Sequence, residues 1–151
     1  MDDGDSNSLL ASLNQITDLK IRYDVSPLFA AVLQNYPTQG GGIDWSKCRL
    51  LGEASIPQEE ESDFMEAKRM IGAFAAFQEA CSLAASDRVV ILSDDYLDFA
   101  IEATIESVPK IVELILPLPH GICVLPLSMA SCFEIRFCGS CYFGTPKRIH
   151  I

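Results

Sequence analysis

Cys138-Gly-Ser-Cys141 is the one spacing in this sequence that invites redox or metal chemistry, because thiols two residues apart can close a disulfide or chelate a soft metal. In thioredoxin-like proteins such a pair opens a helix, where the dipole lowers a thiol pKa. Here Phe137, Tyr142 and Phe143 flank it, and Gly139-Ser140 reads as a two-residue hairpin turn with glycine first. A zinc site needs two further ligands, and Cys123, Cys132 and His120 form no second close pair. The plain reading is buried free thiols acting as small hydrophobes. The alternatives are a small cytoplasmic thiol or zinc-binding protein centred on Cys138 and Cys141, or a general protein-interaction module. Nucleophilic triads would have to rest on His120, a turn residue in Leu-Pro-His-Gly, since His150 stands one place from the last residue. Gly40-Gly41-Gly42 lacks the lysine and hydroxyl of a phosphate loop and the strand-to-helix setting of a dinucleotide fingerprint. No catalytic residue, metal ligand or cofactor site is assigned.

The carboxylates are more informative. Asp94, Asp98, Glu102 and Glu106 recur every fourth residue, so on a helix they form one ridge, with Asp95 beside its start and no basic residue between 94 and 106. Like charges at that spacing cost an isolated helix roughly 0.2–0.5 kcal/mol per pair. A solvated face is the ordinary explanation. The functional one is a surface for a positively charged protein, with Tyr96 and Phe99 exposed beside the ridge as aromatic anchors. Glu53, Glu59, Glu60, Glu61, Asp63 and Glu66 form a second acidic group that extends it.

These residues need elements to hold them. Residues 1 to 8 are polar and acidic and are expected to fray, and Ser8 to Tyr23 carries an approximate helical spacing. Ser26-Pro27 opens a helix that stops before Pro37. Cys48 to Leu51 suits a short strand. From about 62 to 85, Phe64, Ala67, Ile71, Phe74, Phe77 and Cys81 fall on one helical face. Val89-Val90-Ile91-Leu92 reads as a buried strand, followed by a helix from Asp94 to about Glu106 capped by Ser93, with Leu97, Ile101 and Ile105 as its core stripe. Ser107 and Pro109 open a further helix through Ile115. Ile122–Leu125, Phe133–Phe137 and Cys141–Phe143 are three short strands, and residues 146–151 are a basic tail. The expected fold class is α/β or α+β: a single globular domain, 1–151, with helices packed on a small mixed, partly antiparallel sheet.

The chain has 151 residues, enough for one hydrophobic core, and 49% of them are hydrophobic. With 21 acidic against 11 basic residues the formal charge is −10, so nucleic-acid phosphates and anionic lipid are excluded as unaided partners and a basic protein is favoured. The start, MDDGDSNS, has no cationic residue of the kind that opens a secretory signal. Residues 111–126 are interrupted by Glu113 and three prolines, too soon to span a bilayer. Six cysteines in such a chain read as cytosolic thiols. The expected setting is cytoplasmic, with neither membrane nor nucleic acid as partner.

Asp44-Trp45-Ser46-Lys47, a long helix, the unit VVILSDDYLDFA, the segment LPLPHGICVLP and a closing hairpin ending CYFG follow one another over residues 44–144. In that order and spacing the chain resembles small bacterial immunity proteins of contact-dependent growth inhibition and related polymorphic toxin–antitoxin systems. The resemblance implies a non-enzymatic toxin inhibitor. Its partner would be the C-terminal toxin domain of a cognate effector, bound by protein–protein interaction. The charge agrees independently, since many such toxins are nucleases with basic clefts that an acidic protein can occupy. The partner-binding residues expected are Asp94, Asp95, Tyr96, Asp98, Phe99, Glu102 and Glu106.

Overall fold

Apolar residues in the second half of the chain alternate or run continuously in short segments, and the sheet is built from them. A computed structural model describes residues 3–39, 42–54, 63–93, 99–115, 121–136 and 140–146; of 3–7, 63, 64, 66 and 67 it describes the backbone alone. Helix α1 (Asp3–Leu13) leads to β1 (Lys20–Arg22), α2 (Val25–Asn35) and a small ribbon of β2 (Thr38–Gln39) and β3 (Gly42–Ile43). A 3-10 turn at Trp45–Lys47 precedes β4 (Cys48–Ala54), α3 (Asp63–Ala80), β5 (Arg88–Ser93) and β6 (Ala100–Thr104). A second 3-10 turn, Ile105–Ser107, opens α4 (Val108–Ile115), and β7 (Ile122–Pro126), β8 (Cys132–Ile135) and β9 (Cys141–Pro146) follow. The strands other than β2 and β3 form one seven-stranded sheet of order β1-β6-β5-β7-β8-β9-β4. Every neighbouring pair in it is antiparallel. The class is α+β.

Both faces of the sheet are covered, which explains why β5 is buried along five of its six residues. On one face α1, α3 and α4 pack Leu13, Met70, Phe74, Phe77, Ile111 and Ile115 against Ile91, Ile101, Val124 and Phe133. On the other, α2 and the Trp45 turn lay Leu28, Val32, Tyr36 and Trp45 over Val90, Leu92, Leu125 and Cys132. The long helix is where its spacing put it, with Met70, Phe74 and Phe77 buried while Ile71 is half-buried. A bulge in β4 between Leu50 and Gly52 reverses its alternation, so Cys48 faces the α2 side and Ala54 the α3 side. Only glycine fits at 52, because a Cβ there would lie 2.3 Å from the Phe143 ring.

Three expectations are corrected. Helix α1 begins at Asp3, inside the stretch expected to fray, and ends at Leu13; part of what remained of the expected helix is β1. Helix α2 starts at Val25 with Asp24 as its N-cap residue, and the Asp24 carboxylate bonds Arg22 instead of the helix amides. The expected helix over 94–106 is a strand from 100 to 104. Ile101 and Ile105 satisfy a helical stripe and a strand alternation equally. What decides is β5, which offers Val89, Val90 and Ile91 as an open ladder to Ala103, Glu102 and Ile101. The three C-terminal strands and α4 lie close to the expected positions.

Candidate interaction surface

The acidic ridge does not form over the described residues. Asp94, Asp95, Tyr96 and Asp98 lie outside them, as do Glu59, Glu60 and Glu61. Phe99, expected as an exposed anchor, is only 2% exposed, because it enters β6 pointing into the helix-covered core. Glu106 is exposed in the 3-10 turn, and Glu53 is exposed on β4. Glu102 sits in mid-strand with its side chain 13% exposed, between two arginines that the sequence placed far away.

Those arginines come from the flanking strands. Arg88 of β5 donates from Nε to Glu102 Oε2 at 2.7 Å, and Arg22 of β1 from Nη1 to Oε1 at 3.2 Å. Arg88 also donates from Nη2 to the Asp18 carbonyl at 3.1 Å. The Asp18 carboxylate accepts from the Thr104 hydroxyl and, at 2.9 Å, from Ser107 Oγ. The Arg88 hydrogen bond, with the charges of Arg88 and Arg22, holds the Glu102 carboxyl below its usual range against the opposing pull of burial. The Thr104 and Ser107 hydroxyls lower Asp18.

Carboxyls lowered in the folded state contribute stability that is complete above their unfolded values and lost as pH falls through the folded ones. Thermal unfolding scanned from neutral to acid pH is therefore expected to show Tm dropping below the ordinary glutamate value of 4.5. Glu102→Gln is expected to cost about 1–2 kcal/mol at neutral pH and to flatten that acid limb.

The surface that stands out lies on the flank of α2 beside its core stripe. Leu28 and Val32 face the sheet, while Phe29 and Leu33, one helical turn apart, are 36% and 60% exposed. The helix, VSPLFAAVLQN, has no charged residue at all, so nothing offsets the exposed apolar groups. Tyr23, just before it, is 70% exposed and meets Phe99 edge-on with centroids 6.4 Å apart. Exposed apolar groups one turn apart on a helix mark interaction sites, and aromatic residues are the usual anchors. Phe99 follows directly on the acidic segment Asp94-Asp95-Tyr96-Leu97-Asp98 in the chain. In sequence Tyr23 closes an approximate helical spacing and α2 looks like an ordinary helix. The signal that was there to be read is the complete absence of charge over an eleven-residue helix in a strongly acidic chain.

Among the described residues no three His, Cys, Asp or Glu side chains come together as ligands. Cys138 and His120 lie outside them. Cys141 is buried, its sulfur against that of Met70, and Cys132 is buried on the other face. Burial pushes the Cys132, Cys48 and Cys81 thiols up, so they stay protonated and weakly nucleophilic. Among the described residues no helix is long and apolar enough to cross a membrane. Compared with known proteins, the chain matches no family model and no curated sequence.

Proposed function

We propose that this chain is an immunity protein of the contact-dependent growth inhibition type, a non-enzymatic inhibitor that binds a cognate toxin domain in the bacterial cytoplasm. The observation that carries this reading is the uncharged outer face of α2, with Phe29, Leu33 and neighbouring Tyr23 exposed, in a chain of formal charge −10. A tight protein interface needs a desolvated apolar centre for affinity and charge around it for rate and selectivity. Here the anchors supply the centre, and the chain's formal charge of −10 supplies the steering field. The partner that fits is a basic domain with an apolar spot in or beside its cleft, as a nuclease-type toxin would present.

The reading expects the gene to lie directly downstream of a large secreted effector gene, and the test is binding to that effector's C-terminal domain. Phe29→Glu with Leu33→Glu replaces two exposed groups, so the fold and its Tm are expected to survive while affinity falls by about 100-fold or more, the loss of two hot-spot contacts. Asp94→Asn with Asp95→Asn and Asp98→Asn is expected to slow association by about tenfold and to make it less sensitive to salt, with dissociation little changed. Undiminished binding and toxin inhibition by the Phe29/Leu33 variant would overturn the proposal.

A further inference from the structure

A cavity of about 310 Å³ opens between the C-terminal end of α3, the β7–β8 turn and the start of β4. The two non-glycine residues that adopt left-handed backbone among the described ones are Ser82 (φ 54°) and Met129 (φ 63°), and each lies in a turn that walls this cavity. Such conformations persist where the surroundings impose them, and they concentrate at ligand clamps. Here the Leu83 N–H is tied to the Gln78 carbonyl at 3.0 Å and the Met129 N–H to the Pro126 carbonyl at 2.9 Å, so both walls are held in place.

The lining has two characters. Leu51, Leu83 and Pro126 are its apolar part, and Ser128, Ser131, Thr145 and Arg49 its polar part. Ser131 is 4% exposed, a buried residue at the wall beside Cys81. Arg22, Arg88 and Arg136 each pair with a carboxylate. Arg49 has none within ion-pair distance among the described residues, although the chain carries 21 acidic groups. A guanidinium left unpaired beside three hydroxyls matches the planar, multiply accepting oxygens of a carboxylate or phosphate. Ala80, the last residue of α3, also lines the cavity and brings the negative end of the helix dipole to it, so an anion is accommodated only with Arg49 in place. The volume equals about ten waters at ~30 Å³ each, room for a ligand of about ten heavy atoms.

We infer that this cavity is a binding site for a small oxyanion with an apolar body, a carboxylate or phosphate monoester whose charged group is held by Arg49 and the Ser128, Ser131 and Thr145 hydroxyls. The body lies on Leu51, Leu83 and Pro126. Amide NMR of the full chain, titrated separately with hexanoate, phenyl phosphate and 1-hexanol, tests it. The expected result is saturable shifts for at least one of the two anions, confined to Arg49, Cys81–Leu83, Ser128–Ser131 and Thr145, with hexanol at least about tenfold weaker. Arg49→Met, an exposed position whose folding is checked by the rest of the spectrum, is expected to weaken the anion by at least about tenfold. Which anion saturates tells carboxylate from phosphate. Linear shifts for both anions, hexanol binding as tightly as hexanoate, or undiminished binding by Arg49→Met would each overturn the inference.

Discussion

Phe77→Ala is expected to destabilise the fold by about 3–5 kcal/mol, a large share of the roughly 5–15 kcal/mol that holds a domain together. Phe77 is fully buried at the centre of an aromatic group in which its ring lies 5.7 Å from Phe74, 5.7 Å from Phe133 and 5.9 Å from Phe143. Phe133 in turn meets Phe74 edge-on at 5.4 Å. The ring therefore ties α3 to β8 and β9 at once, and its loss leaves a cavity whose walls are held by other elements and cannot collapse. Urea unfolding checks this: the midpoint drops with the slope unchanged, as for a lost core contact. Phe77→Leu, which keeps most of the volume, is expected to cost about 1–2 kcal/mol.

Glu134→Ala is expected to cost about 3 kcal/mol, and to announce itself at the sole tryptophan. The Glu134 side chain is nearly buried and accepts three hydrogen bonds: from the Ile43 N–H at 2.9 Å, from Trp45 Nε1 at 2.9 Å and from Arg136 Nε at 3.0 Å. Arg136 completes the arrangement by donating to the Ile43 carbonyl at 2.6 Å and stacking over Tyr142 at 4.9 Å. One carboxylate thus fastens the ribbon and the Trp45 turn to β8. Removing it strands three donors and leaves the guanidinium without its counter-charge. Trp45 fluorescence is expected to shift to the red in the folded variant, well before global unfolding. Glu134→Gln keeps one acceptor and is expected to lose about half as much.

Elements whose apolar residues share one periodicity were legible. Phe74 and Phe77 on α3, Val89–Leu92 on β5 and Ile111, Val112 and Ile115 on α4 each satisfy a single pattern, and the structure realises it. The segment 99–107 was not legible, because Ile101 and Ile105 fit two periods and the deciding partner, β5, lies on another strand. Glu102 was misjudged for the same reason. Acidic Asp98 and Glu106 stand four places to either side of it in sequence, but its neighbours in space are Arg22 and Arg88, brought there by strand pairing. Tyr23, Phe29 and Leu33 were missed because attention to charge passes over a helix that has none. Arg49 and Ser131 are 82 positions apart and meet only through the order of the sheet.

That order also dictates a timetable for synthesis. Strands β5 to β9 are stitched together by neighbours close in the chain, whereas β1 and β4 are added to the two outer margins by pairing with β6 and β9. The ribosome delivers the outer strands first. While they wait, Leu50 and Leu51 have no ladder to join, since the seat for Cys48–Ala54 is Cys141–Pro146, nearly a hundred positions later. Closing such a distant pairing is slow and leaves sticky nascent chain in the meantime. A holding chaperone, or rapid completion of translation, would therefore raise the yield of this protein.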